Sequence, residues 1–113
     1  MDYPSDATFY VRLSLMEPRE GMRDKVLEMH RQLLEWLPSQ PGFVRGYLIV
    51  SGDPQDRVGH LDVWRSEQDA RRAAQTDHVL AVRSELLLLV EEESHAEHSY
   101  ISVDPLLAAK ATS

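Results

Sequence analysis

The sequence predicts an α+β domain built as βαββαβ, and three observations predict it. Four short stretches alternate in polarity or are rich in β-branched and aromatic residues. Two longer stretches carry apolar residues at helical spacing. Their order over the 113 residues is strand, helix, strand, strand, helix, strand. That order is the ferredoxin-like arrangement, a four-stranded antiparallel sheet with both helices on one face. Right-handed crossovers leave little choice of topology. A chain of this length suits one hydrophobic core, and the domain is placed at residues 8–103, with flexible or arm-like tails at 1–7 and 104–113.

The first strand is TFYVRLSL, 8–15, where Phe9, Val11, Leu13 and Leu15 alternate with Tyr10, Arg12 and Ser14. Pro18 suits a first helical turn. Met22, Val26, Met29, Leu33 and Leu37 then recur at helical spacing, predicting a helix over 19–37. Pro38 and Gln40-Pro41-Gly42 stop it. FVRGYLIVS, 43–51, is the second strand, and GDPQD, 52–56, is a turn by composition. RVGHLDVW, 57–64, is the third strand. Ser66 with Asp69 three residues on has the form of a helix cap, and Thr76-Asp77 can cap a restart, so the second helix is expected to break before running to about Val90. After the polar EEES, 91–94, the fourth strand is 95–103.

These alternations suggest two faces for the sheet. The apolar side of the first strand is expected under the helices. Tyr10, Arg12, Ser14, Phe43, Arg45, Tyr47, Ile49, His98, Tyr100 and Ser102 are expected on the other side. Aromatics mixed with arginine suit a protein interface, so the sheets are expected to face each other in a homodimer, closing an α/β barrel.

Composition narrows the function classes. The formal net charge is -7 and the pI about 5.1, which argues against nucleic-acid and anionic-membrane partners, because both are bound by basic surfaces. Cysteine is absent, so thiolate chemistry and zinc–cysteine sites are excluded and a cytoplasmic location is expected. His95 and His98, three apart on a strand, point to opposite faces and cannot share a metal. No two-histidine-one-carboxylate pattern appears, so no metal is expected.

Two stretches, QPGFVRGYL after the first helix and VWRSEQDA at the third strand and second helix, together with length and element order, resemble the antibiotic biosynthesis monooxygenase-like family of dimeric α/β-barrel proteins. The resemblance spans about residues 8–103. It implies homodimers whose sheets face each other, and functions that include cofactor-independent oxygenation of polyketide aromatics, haem degradation and quinol oxygenation. The haem-degrading pattern is not met: Val11 stands at its strand asparagine, Ala73 at its helical tryptophan and Arg83 at its iron-ligating histidine. Arginine is no axial ligand for haem iron, and His78 falls about five positions away. The polyketide-oxygenase pattern is met at Trp64, with His60 in place of an asparagine and Ala70 in place of a tyrosine. It implies that the His60–Trp64 face looks into a pocket under the helices and that no cofactor is used.

An oxygenase of that kind needs a base, a donor for developing charge and a dry apolar cavity. His60 is the candidate base, since histidine exchanges a proton near neutrality. Trp64 can donate from its indole N–H and stack on an aromatic substrate. His30, within the apolar stripe of the first helix, points toward the sheet. Val11, Leu13, Leu48, Ala70, Ala73 and Ala74 are the candidate substrate-binding lining, the alanines keeping the second helix slim. Each also has a plain structural role: Trp64 as core, His60 bonded to Asp62 or backbone, His30 on a helix flank and the alanines for close packing. Two functions therefore stand side by side, a cofactor-independent monooxygenase of a small aromatic molecule and a non-catalytic small-ligand-binding or dimerisation module.

Overall fold

The computed structural model describes residues 8–52 and 56–103. In chain order it contains β1 (Phe9–Met16), α1 (Arg23–Trp36), β2 (Phe43–Val50), β3 (Val58–Trp64), α2 (Glu67–Ala74), α3 (Asp77–Leu89) and β4 (Ala96–Ser102), with a 3-10 turn at Leu37–Ser39 closing α1. The strands form one sheet in the order β2-β3-β1-β4, every neighbouring pair antiparallel. This is the expected ferredoxin-like fold. Both expected tails, and most of the expected turn at 52–56, lie outside the described residues. No helix of the described residues is long and apolar enough to cross a membrane.

The predicted break in the second helical stretch is real and has a local cause. Ser66 Oγ accepts a hydrogen bond from Asp69 N at 3.1 Å and starts α2. Thr76 Oγ1 then donates to Ala73 O at 2.7 Å, at the end of α2. The same hydroxyl accepts from Val79 N at 3.3 Å and caps α3. A single threonine satisfies orphan groups on two helices.

The first helix begins later than its apolar periodicity suggests. Pro18 does not sit in a helical turn; it bridges to Val90 in antiparallel fashion, and Arg19 N donates to Leu89 O at 2.9 Å. Gly21 has a φ of 82°, a conformation that glycine adopts without steric cost. This turn reverses the chain, so the helix starts only at Arg23.

Strand register overturns part of the facial assignment. Tyr10 pairs with Trp64, Arg12 with Asp62 and Ser14 with His60, so these six side chains share one side of the sheet. Ser14, His60, Asp62 and Trp64 are all buried, and Trp64 packs with Leu33, Leu37, Ala70, Ala73 and Val79 of the helical layer. Tyr10, Arg12 and Ser14 therefore lie under the helices, contrary to expectation. Phe43 joins them. An irregularity between Phe43 and Arg45 shifts the register, turning Phe43 inward onto Trp64 while Arg45, Tyr47 and Ile49 stay outside. Phe9, Val11, Leu13 and Leu15 occupy the outer side, beside His98, Tyr100 and Ser102 of β4.

The apolar core has two parts. One surrounds Trp64, and the other contains Met16, Val26, Val58, Leu86 and Val90. Along each inner element a polar residue falls between them: Ser14 on β1, His30 on α1 and His60 on β3.

Gly59 of β3 lies tight against the backbone of β1. A Cβ there would lie 1.8 Å from the Ser14 carbonyl oxygen. Gly59→Ala is expected to destabilise the fold by at least about 2 kcal/mol through forced backbone displacement. Urea unfolding followed by tryptophan fluorescence checks this, and an unchanged midpoint would refute it.

Candidate functional site

A cavity lies between the sheet and the helices, bordered on the sheet side by Arg12, Ser14, His60, Asp62 and Trp64. From the helices come His30 and Leu33, then Ala70, Ala73 and Ala74, then Val79, Val82 and Leu86. The space open to the centre of a water molecule is about 60 Å³. That is room for roughly four to six waters.

The walls are mostly apolar, and the polar groups on them are bonded to one another. His30 and His60 meet through their Nδ1 atoms at 2.8 Å, with ring centroids 5.0 Å apart. His60 Nε2 lies 3.1 Å from Asp62 Oδ2. The other Asp62 oxygen accepts the Trp64 indole N–H. At the far end, His30 Nε2 sits 3.4 Å from Met16 Sδ. The result is a continuous chain from Met16 through both histidines and Asp62 to Trp64. Burial forces this arrangement, because an unpartnered buried donor or acceptor costs about 1–3 kcal/mol.

A second polar group stands at the β4 side of the cavity. Glu97 pairs with Arg12 and with Arg83 at 3.0 Å. Arg12 also reaches Ala70 O at 3.4 Å. Burial pushes the Glu97 carboxyl up, but the two arginines and His95 outweigh it and hold the group below the usual carboxylate range. His95 Nε2 contacts Ser14 Oγ at 3.0 Å and Glu97 Oε2 at 3.8 Å. Both contacts use one nitrogen, so Ser14, His95 and Glu97 are not aligned as a nucleophile, base and orienting acid, where the two partners engage opposite ring nitrogens. Among the described residues, no group of three or more His, Asp or Glu side chains is arranged to hold a metal ion.

Of the residues singled out from sequence, His30, His60, Trp64, Ala70, Ala73 and Ala74 border the cavity. Val11 and Leu13 do not; alternation along β1 puts them on the opposite side of the sheet from Arg12 and Ser14. Leu48 pairs with His60 and shares its side, but it does not reach the cavity lining. The Trp64 N–H is committed to Asp62, which removes it as a donor to a bound molecule. His78 is elsewhere, stacked on Trp36 at 4.1 Å between ring centroids. Sequence reasoning missed Asp62, Met16, His95 and Glu97 as cavity groups. The alternation of His60, Asp62 and Trp64 along the third strand puts all three on one face, but Asp62 was not assigned to the cavity.

An α+β sandwich of ferredoxin-like topology, with a small cavity under its helices and a buried histidine–carboxylate chain on one wall, defines the class. The model of the antibiotic biosynthesis monooxygenase family matches residues 9–85, and the chain belongs to that family. No curated protein matches it. Solved structures similar to it include a protein from Shewanella oneidensis at 18% identity and TM-score 0.75, covering 87% of this chain and 93% of that one. A cofactor-independent oxygenase from Streptomyces nogalater matches at 19% identity and TM-score 0.65, with 82% and 89% covered. A dimeric ferredoxin-like protein of unknown function from Jannaschia sp. CCS1 matches at 13% identity and TM-score 0.70, with 82% and 97% covered. At these identities the likeness is one of fold.

The buried histidine has a consequence for stability. Burial, with His60 and His95 adding to it, pushes His30 from 6.5 down to about 3. The unfolded chain therefore accepts a proton that the folded protein refuses. The stabilisation is fully present above about pH 6.5 and is lost as pH falls toward 3. Burial lowers His95 in the same sense. The urea midpoint is expected to drop on acidification from pH 7 to 5, with up to about 1.4 kcal/mol per pH unit from His30. A flat profile in the native protein, or an equally steep one in His30→Gln, would contradict this.

Proposed function

We propose that the chain is a homodimeric, cofactor-independent monooxygenase of a small aromatic substrate of phenolic, quinol or polyketide type, acting in the cavity between sheet and helices. The observation that carries this is the hydrogen-bonded His30–His60–Asp62 set on the wall of a mostly apolar cavity. Family membership and the fold shared with an oxygenase from Streptomyces nogalater support it.

The chemistry needs no bound metal or flavin. A proton leaves an activated C–H or phenolic O–H of the substrate and is held by the His60–Asp62 pair, where the carboxylate stabilises an imidazolium. For a substrate with an activated methylene, the carbanion passes one electron to dioxygen, and the resulting pair recombines as a hydroperoxide at carbon. Loss of water, taking the second hydrogen of the methylene, then gives the ketone. The substrate and one dioxygen become one ketone and one water. Trp64 contributes its ring face, not its N–H, to the aromatic substrate. The apolar walls keep water from the reactive anion.

The outer side of the sheet supports the homodimer. Val11, Leu13, Leu15, Ile49, Leu61 and Val63 form an apolar surface there, with Tyr47 and Tyr100 about half exposed. An open apolar sheet face of this kind is characteristic of an interface, and isologous pairing is the commonest way to cover one. Light scattering coupled to size exclusion at micromolar concentration is expected to give twice the chain mass, and a monomer would remove the dimer.

One observation favours the second function, a non-catalytic binding or dimerisation module. Both nitrogens of His60 and the Trp64 N–H are already bonded within the protein. Oxygen uptake with hydroquinone and anthrone separates the two functions. Uptake is expected in the native protein, with a loss of about 100-fold or more in His60→Ala, as for removal of a general base, and a smaller loss in Trp64→Phe. Activity that survives both substitutions removes these roles, and no uptake with any aromatic leaves the binding module.

A further inference from the structure

His30 is the buried titratable group to which the proposed chemistry assigns no task of its own. It is wholly inaccessible to solvent, with Nδ1 2.8 Å from His60 Nδ1 and Nε2 3.4 Å from Met16 Sδ. Two facing ring nitrogens at that distance share one proton: one donates and the other accepts. Which one donates is decided by His60. With Asp62 ionised, His60 carries a proton on Nε2 and donates it to Oδ2 at 3.1 Å. A neutral His60 is then bare at Nδ1, so His30 must donate from its own Nδ1 and leave its Nε2 bare against the sulfur. A His60 that has gained a proton carries N–H at both positions, and its Nδ1–H needs an acceptor. His30 can accept only as the other neutral tautomer, with its N–H on Nε2 and the thioether of Met16 as a weak acceptor.

We propose that His30 is a positioning residue for His60, moving its single N–H between Nδ1 and Nε2 each time His60 gains or loses a proton. The balance is one proton and no electrons. On uptake, the N–H at His30 Nδ1 is replaced by one at His60 Nδ1, and a new N–H forms at His30 Nε2. His30 itself stays neutral in both states. Its burial enforces this, holding it down to about 3. The charged and titratable groups around the pair act in the same sense. From β1 and α3, Arg12 and Arg83 are both taken up by Glu97 of β4. His95, beside β4, lies against Ser14 and Glu97, and its cationic form further disfavours charge on His30. Asp62 of β3 is the carboxylate in contact with the pair, and it touches His60, not His30. The added charge therefore settles on His60, and His30 keeps the ring in place in either state.

Met16 fits this role. Its sulfur accepts weakly from the Nε2–H form and has no hydrogen to give a bare nitrogen, so the contact leans toward the form that accompanies a doubly protonated His60. The inference bears on catalysis only through the proposed base role of His60, yet the tautomer can be measured without substrate. Long-range proton–nitrogen correlation of the imidazole rings in ¹⁵N-labelled native protein, followed on acidification until His60 carries its second proton, tests it. His30 is expected to change from the Nδ1–H to the Nε2–H pattern in step with the gain of the second proton on His60, without itself becoming doubly protonated. In His60→Gln the His30 tautomer is expected to stop changing with pH. A single His30 tautomer across the transition of His60, double protonation of His30 alongside it, or an exchange that persists in His60→Gln would overturn the inference. An exchange seen in a protein that consumes no oxygen leaves this inference standing and removes the oxygenase, and uptake without an exchange does the reverse.

Discussion

The antiparallel register of β1 against β3 is the constraint on which the rest depends. By pairing Ser14 with His60, Arg12 with Asp62 and Tyr10 with Trp64, it gathers most of the polar side chains of two central strands on the side that the helices cover. Once those groups are buried, they must bond to each other or to the helices above. The histidine on α1 answers His60, and the carboxylate of Asp62 answers both His60 and Trp64. Slipping β1 by one residue against β3 would turn its side chains over, burying Val11 and Leu13 and carrying Arg12 and Ser14 to the outer side. The cavity is thus a product of register first and of helix packing second.

This polar seam divides the apolar core. Ser14, His30 and His60 stand between Trp64 on one side and Val58 on the other, and half-buried Val82 of α3 packs against both clusters. A core so divided gives up the tightest packing available to a domain of this size. It gains a set of titratable groups whose surroundings are dry and fixed, the condition under which small changes of proton position have large electrostatic effects.

Much of the fold was legible because its signals are local. The Ser66 and Thr76 caps are read from side chains that bond backbone groups within three residues, and the structure places both where the sequence does. Gly21, in contrast, delays the first helix through a backbone conformation that the apolar periodicity of 22–37 cannot report. The facial assignment of β1 failed for a different reason. Its four apolar residues outweigh Tyr10, Arg12 and Ser14 on any local count, but the outer side of this sheet is apolar as well, so hydrophobicity alone cannot say which side the helices take. Phe43 failed because a register shift is invisible to alternation. For the cavity itself, His60 and Trp64 were found by resemblance and His30 by helical spacing. Asp62 entered only as a possible partner of His60, although its carboxylate joins His60 to Trp64.

Trp64 illustrates what such a cavity can distinguish. With its only polar atom turned to Asp62, the largest side chain of the lining offers an incoming molecule nothing but area and shape. A wall of that kind discriminates by outline, where each added or missing methylene changes affinity by a factor of roughly 10 to 200, and it hardly rejects a ligand that merely adds a hydroxyl. Under the proposed function, selection would be graded by the size of the ring, and trimming or filling the alanine-lined roof would be enough to shift it.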